Sequence, residues 1–201
     1  MPELPTAPEM ALADPGSAGA GTNVAARTGV ALRALATPED ARAVWRTLGE
    51  HGRLRDAGPA ELPGLLGALD ARCPVGVVLS VCVQVASALP VLREQVDGQP
   101  EDGPVRTAYL DAIAGHAMLA LAATDRDGAG SDLMELGTTV RLNDRSLVLD
   151  GGKRWITNAP LPHMRACWLG TARSGISPAS CGCWCPPTPP ECGCRPPGVL
   201  H

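Results

Sequence analysis

The sequence contains no phenylalanine, one tyrosine and four tryptophans, so aromatic residues make up only 2% of its 201 residues. A buried core must therefore be built from alanine, valine and leucine. Basic residues are also few: 17 Lys and Arg stand against 21 Asp and Glu, for a formal net charge of -4. Nucleic-acid-binding proteins usually carry clustered basic residues. We therefore expect no nucleic-acid partner, and the length suits one or two domains.

The first residues lack the features of a secretion signal. Glu3, Glu9 and Asp14 stand where a signal would be basic, and no apolar run follows them. We therefore expect a cytoplasmic protein, whose reducing surroundings disfavour disulfides. Residues 1–29 are rich in alanine, glycine and proline and show no periodicity. This composition predicts a disordered lead-in, because it has few large apolar groups to offset the entropy of ordering.

No charge interrupts residues 73–92, a segment long enough to span a bilayer. Ser80, Gln84 and the prolines, among them Pro90, argue against a membrane span. The favoured interpretation is a pair of buried helices inside a bundle, bent near Pro90, and a membrane-inserted pair is the alternative. We therefore expect no membrane partner.

Helical patterns dominate the first part of the chain. Residues 37–40, Thr-Pro-Glu-Asp, predict a helix start with Thr37 as its cap. A leucine stripe predicts a second helix over residues 60–71, and Pro104 opens another. We assign residues 30–117 to a helical domain.

The period changes to that of β-strands after Gly115. Strands are predicted over residues 118–124, 138–142, 146–150 and 153–158, with a hairpin turn at Asn143-Asp144. Helices followed by an antiparallel meander predict an α+β fold: an N-terminal helical bundle, then a partial antiparallel β-domain over residues 118–165.

Small residues crowd the segment over residues 124–133, TDRDGAGSDL. It is not a calcium loop, since Leu136 stands where the last ligand should be, and it is not a dinucleotide fingerprint, since Leu133 replaces the third glycine. Its backbone N–H groups can still approach an anionic or heteroaromatic ligand. In the strand predicted over residues 153–158, Trp155 and Thr157 face the same way and suit a ring cofactor.

Thr124, then Gly130-Ser131-Asp132, a hairpin, and Trp155-Ile156-Thr157-Asn158 follow one another in this order. This arrangement resembles the flavin-binding core of the acyl-CoA dehydrogenase family, which usually shows Thr-Glu-Pro, Ala-Gly-Ser-Asp and Trp-Ile-Thr-Asn. The resemblance covers residues 30–165 and implies FAD as the cofactor. The chain departs from the family at Asp125-Arg126, which replaces Glu-Pro, and by an extra residue before Ala129.

The resemblance also implies cofactor contacts, carried over to matching positions. They are Ala123 and Thr124 at the pyrimidine end, Gly130 and Ser131 at the pyrophosphate, Trp155 over the isoalloxazine ring, and Thr157 near N5.

The implied reaction introduces an α,β double bond into an acyl thioester of CoA or of acyl carrier protein. In the family a glutamate removes the α-proton while the β-hydride passes to the flavin, and an electron acceptor reoxidises it. That glutamate lies in the family's C-terminal helical domain, to which nothing in this chain corresponds. We therefore assign no catalytic residue here and expect a truncated, inactive chain from a family of homo-oligomers.

Six of the eight cysteines lie between Cys167 and Cys194, among prolines. Their Cys-x-Cys spacing departs from the spacing of structural zinc sites. A non-enzymatic fragment or small metal-binding module using this tail remains the alternative function, and no metal ligand is assigned.

A change of reading frame explains the cysteine-rich composition directly. Read two bases out of frame from Cys181 with GC-rich codons, the tail becomes Arg-Leu-Leu-Val-Pro-Ala-Asp-Ala-Pro-Gly-Val-Arg-Val. That product resembles the family's next strand and turn. We expect the frame to change between about Ala159 and His163, which makes residues 166–201 a disordered, frame-shifted tail.

Overall fold

The computed structural model describes residues 17–33, 35–55, 57–96, 100, 103–126, 137–143, 146–159, 164–167, 170–171 and 181–183. Helices come first: α1 (Ser17–Arg33), α2 (Ala41–Glu50), α3 (Leu62–Asp70), α4 (Val75–Val83), a π-helical turn (Gln84–Ala88), α5 (Leu89–Val96) and α6 (Pro104–Ile113). Strands follow: β1 (Leu119–Ala122), β2 (Thr139–Asn143), β3 (Ser146–Asp150), β4 (Met164–Cys167), β5 (Gly170–Thr171) and β6 (Cys181–Cys183). The predicted order of helices before strands is confirmed.

The lead-in predicted to be disordered over residues 1–29 is corrected for residues 17–29, which belong to helix α1. Thr28, Ala31 and Leu32 are buried, and Val24 packs against the core. Contact with the rest of the bundle supplies the apolar burial that composition did not suggest, and most helical stability in proteins comes from such packing. Residues 1–16 lie outside the described part of the chain.

Helix α2 begins one turn later than predicted. Its N-cap is Asp40, whose carboxylate accepts a hydrogen bond from the Arg42 N–H at 2.9 Å, so Thr37 is not the cap. Asp40 and Thr37 are both favoured cap residues, and the choice depends on which one has an extended backbone next to the helix. Trp45 is fully buried, and its indole N–H donates to the Ala117 carbonyl at 2.8 Å.

Helix α3 and the start of α6 at Pro104 confirm the predicted helices in those regions. Residues Val75–Val96 form one continuous helix rather than a pair, with the π-helical turn immediately before Pro90. π-Helical turns are among the recognised causes of helix bending. By length and composition this is the one helix in the described residues able to cross a membrane, a test that the core helix of a soluble protein also passes.

One face of this long helix is buried in the hydrophobic core, through Val77, Val81, Val85 and Leu89. The core also contains Leu65 and Leu69 of α3 and Leu48 of α2. This packing agrees with the predicted helical bundle.

Within the described residues the strands form two three-stranded sheets, ordered β1-β4-β6 and β3-β2-β5. The predicted hairpin is present, because β2 pairs antiparallel with β3. Asn143 pairs with Ser146 as the last residue of β2, so Asn143 belongs to the strand and not to the predicted turn, and residues 144–145 lie outside the described part. Strand β1 runs parallel to β4, with Leu119 opposite Met164, so the described strands are not a purely antiparallel meander.

Strands β5 and β6, and the second half of β4, occupy positions predicted to belong to an irregular, disordered tail. Strand β6 pairs antiparallel with β4, with Cys167 opposite Cys181. Within residues 166–201 the prediction is therefore corrected for these short strands. The rest of the tail lies outside the described residues, and the frame change stays a prediction.

Candidate functional site

Two segments that carry predicted cofactor contacts lie side by side after strand β1. Asp125 and Lys153 form an isolated antiparallel β-bridge. On either side of it the Arg126 N–H donates to the Gly152 carbonyl at 2.7 Å, and the Arg154 N–H donates to the Thr124 carbonyl at 2.9 Å. This pairing brings Thr124 opposite Arg154, the neighbour of Trp155 in the chain.

The Asp125 carboxylate joins three segments of the chain. Its Oδ1 lies 2.6 Å from Lys153 Nζ and accepts the Thr138 hydroxyl at 2.5 Å. Its Oδ2 accepts the backbone N–H groups of Gly137 and Thr138 at 2.5 and 3.0 Å. Lys153 Nζ also donates to the Ala123 carbonyl at 2.9 Å. The start of strand β2 is thereby held against both segments of the bridge.

Burial raises the pKa of Asp125, but hydrogen bonds from Lys153, from the Thr138 hydroxyl and from two backbone N–H groups outweigh burial and lower that pKa to about 2. The carboxylate is therefore ionised at neutral pH and acts only as an acceptor. Its contacts join three segments of the chain, so it has a structural role.

Trp155 is the most solvent-exposed large apolar side chain of the described residues, at 82%. Its φ of 57° lies in the left-handed region, which costs a residue with a Cβ about 1–2 kcal/mol. This conformation interrupts the extended backbone, so the strand predicted over residues 153–158 is wrong beyond Lys153. The alternation that was to place Trp155 and Thr157 on one face does not apply.

Thr157 opens a turn instead of continuing a strand. Asn158 in this turn has φ 66° and is only 7% exposed. Its side chain is bonded to helix α4: the Ser80 hydroxyl donates to Asn158 Oδ1 at 2.6 Å, and Asn158 Nδ2 donates to the Ser80 carbonyl at 3.2 Å. Thr157 is half-buried beside this anchor.

The predicted cofactor residues divide into three groups. Ala123 and Thr124 lie in the bridge region with Trp155, and Thr157 lies in the anchored turn just beyond it. Gly130 and Ser131 lie outside the described residues. In the sequence Asp125 stands out only as a departure from the family's pattern, and its partner Lys153 was not predicted, since only the fold brings these two residues together.

A metal site is not formed by the described residues, among which no group of three His, Cys, Asp or Glu side chains comes together. Cys185, Cys192 and Cys194 of the tail lie outside that part of the chain. The metal-binding alternative therefore stays untested. Cys73 is a free, buried thiol, and burial raises its pKa while the neighbouring Arg72 opposes the rise.

No protein-family model matches the sequence, and comparison with curated proteins gives no match. Solved structures do match. "PigA with FAD and proline" has a TM-score of 0.59 at 18% identity, over 82% of this chain and 46% of that one. A glutaryl-CoA dehydrogenase from Mycobacterium smegmatis has a TM-score of 0.59 at 19% identity, over 81% of this chain and 44% of that one.

An acyl-CoA dehydrogenase from Geobacillus kaustophilus matches 84% of this chain with a TM-score of 0.61 at 19% identity. The chain covers 46% of that protein, so it spans about half the length of the solved structures it matches. The fold of this chain resembles that of the acyl-CoA dehydrogenases, as the motif order predicted. At these identities the likeness concerns the fold.

Proposed function

We propose that this chain carries part of the FAD site of an oxidoreductase that dehydrogenates acyl thioesters. The observation that carries the proposal is the bridge at Asp125 and Lys153, which sets Ala123 and Thr124 beside the segment of Trp155. It does so in a fold that resembles that of acyl-CoA dehydrogenases.

The described residues fit a flavin by their chemistry. Trp155 presents a flat aromatic surface, 82% exposed, and such surfaces stack favourably with other rings. Thr124 and Thr157 add half-buried hydroxyls that can donate to ring oxygen or nitrogen atoms. In this proposal Trp155 covers the isoalloxazine ring, Thr157 bonds near N5, and Ala123 and Thr124 meet the pyrimidine end.

Gly130 and Ser131 complete the proposed site at the pyrophosphate. Bound FAD would supply the hydride acceptor for forming a trans-2-enoyl thioester. The chain's own contribution is to bind and orient the cofactor, and we assign no base for the α-proton to any residue here. The proposal also includes CoA or acyl carrier protein as the carrier of the acyl group and an electron acceptor that reoxidises the flavin. It further includes a homo-oligomeric assembly, a cytoplasmic location and no membrane partner.

A frame change near the codons for Ala159 to His163 remains part of the proposal, with an inactive chain as its consequence. Resequencing the gene from the codons for Trp155 to beyond those for His201 tests it. The expected result is a gained or lost base, followed by an open frame encoding the strand and the Pro-Gly-Val turn. An unchanged sequence on both strands would refute the frame change and leave the tail as genuine.

Titration of the purified chain with FAD tests the proposed site, with quenching of flavin fluorescence and an absorbance band near 450 nm as readouts. We expect saturable binding to one site. Thr157→Val removes the hydroxyl at nearly constant shape and should weaken binding about tenfold, the value of one well-placed hydrogen bond.

Thr47→Val is the matched control, because Thr47 is also half-buried but lies on helix α2. It should leave FAD affinity unchanged. A chain that is folded by circular dichroism and binds no FAD contradicts the proposed function.

A further inference from the structure

Two polar side chains interrupt the apolar face of the long helix Val75–Val96. Ser80 is 5% exposed and Gln84 is fully buried. Side chains four residues apart in a helix lie on the same side, one turn from each other. Ser80 and Gln84 therefore form a short polar row within a helix that is otherwise apolar enough to cross a membrane.

Each residue of this row holds a different segment of the β-region. Ser80 exchanges two hydrogen bonds with Asn158, in the turn that contains Thr157. Gln84 forms two hydrogen bonds with the backbone of Leu119, the first residue of strand β1. Its amide N–H donates to the Leu119 carbonyl, and its Oε1 accepts the Leu119 N–H at 2.9 Å. One side-chain amide thus pairs with both backbone groups of one residue, as a neighbouring strand would.

Hydrophobic burial does not account for a serine and a glutamine at these positions. A buried hydroxyl or amide is unfavourable unless it is hydrogen-bonded, and even then its net contribution to stability is small. An apolar residue would serve a helix core as well. What Ser80 and Gln84 add is specificity, because their hydrogen bonds determine where the segments they bind lie.

We infer that Ser80 and Gln84 are positioning residues, which set the turn of Thr157 and the start of strand β1 at a defined separation on one helix. Strand β1 leads directly to Ala123, so the row holds the two segments that meet the flavin ring in the proposed site. The inference rests on the proposed function only for the identity of the ligand. The π-helical turn begins at Gln84, and such turns are frequent at functional sites.

Hydrogen exchange of the full-length chain, read by mass spectrometry, tests the positioning role without any cofactor. Ser80→Ala should speed exchange of the amides of residues 157–159 about tenfold and leave strand β1 unchanged. Gln84→Leu should speed exchange in residues 119–122 and leave residues 157–159 unchanged. Ser87→Ala is the control, because Ser87 is half-buried on the same helix, and it should alter neither segment.

FAD titration of the same variants tests the link to the site. We expect Ser80→Ala and Gln84→Leu to weaken FAD binding about tenfold and to change the visible circular dichroism of the bound flavin, whereas Ser87→Ala changes neither. Unchanged exchange in both segments would overturn the positioning role. Altered exchange with unaltered affinity and flavin dichroism would overturn its link to the site. If the parent chain binds no FAD, the proposed function fails while exchange still decides the positioning role.

Discussion

Lys153 and Asp125 form a buried ion pair, with Nζ 2.6 Å from Oδ1 and side chains only 7% and 8% exposed. Each charge depends on the other, because removing one partner of a buried pair leaves the second uncompensated in a poorly solvating environment. We expect Lys153→Met to lower the free energy of unfolding by about 3–5 kcal/mol. Urea unfolding followed by circular dichroism measures it.

The control for this change is Arg55→Met, at an exposed position, for which we expect an effect within about 0.5 kcal/mol. The double variant Asp125→Asn with Lys153→Met should be less destabilised than the sum of the two single variants, because no charge is left buried alone. Simple additivity would contradict a direct interaction.

Acid should remove the contribution of Asp125 to stability. Its pKa is lowered from 3.8 to about 2 in the folded chain, so folding is favoured by ionisation. The contribution is fully present above the unfolded pKa and is lost as the pH falls through about 2. Its size is about 2 kcal/mol, from the shift in pKa.

The measurement is the free energy of unfolding of the parent chain and of Asp125→Asn between pH 6 and pH 2. The difference between the two should be constant above about pH 4.5 and shrink toward pH 2. A difference that does not vary with pH would show that the Asp125 carboxylate is not the group responsible.

Close backbone contact between α2 and the end of α6 requires glycine at two positions. A Cβ at Gly49 would lie 2.3 Å from the Ala114 carbonyl carbon, and Gly115 has φ 83°. We expect Gly49→Ala and Gly115→Ala each to lower the melting temperature strongly, through a loss of more than about 2 kcal/mol.

Gly67→Ala is the matched control for these glycines. Gly67 lies inside helix α3, and a Cβ there meets nothing within 4 Å. Alanine is favoured over glycine in a helix by about 1 kcal/mol, so this variant should raise the melting temperature. Equal effects at all three positions would contradict the close packing.

We expect Trp155 to contribute to FAD binding while lowering the free energy of unfolding. Its indole is 82% exposed and its φ is 57°, so it gains little from burial while adopting a strained conformation. Trp155→Asn keeps a residue type that tolerates positive φ. It should leave the free energy of unfolding unchanged or higher, while FAD affinity falls about tenfold or more, as measured by fluorescence titration. A large loss of stability would indicate a structural role for the indole.

Local patterns in the sequence predicted the elements whose causes are local. The leucine stripe of α3, the proline at the start of α6 and the alternation of β2 and β3 each produced the expected element. Local helix and strand propensities gave the wrong prediction where contacts between residues far apart in sequence determine the conformation. Helix α1 has few large apolar residues, but it packs Ala31 and Leu32 into the core. The segment through Trp155 has the alternation of a strand, but Trp155 itself has a left-handed backbone conformation.

The candidate site shows the same division. The chain order of Thr124, Trp155 and Thr157 was readable as a motif, and it predicted the fold resemblance. That Lys153 reaches Asp125 and Ala123, and that Asn158 reaches Ser80, was not readable, because a hydrogen bond between residues far apart in sequence leaves no local pattern.

By itself the sequence determined helix α3, the start of α6, the pairing of β2 with β3 and the residue types of the site, because these follow from periodicity, proline chemistry and side-chain functional groups. The tertiary structure alone decided how the segments meet. Ser80 and Gln84 appear in the sequence as polar interruptions of an apolar run, and only folding supplies Asn158 and Leu119 as their partners. The reason is physical: burial makes each polar group dependent on a partner, and the path of the chain selects that partner.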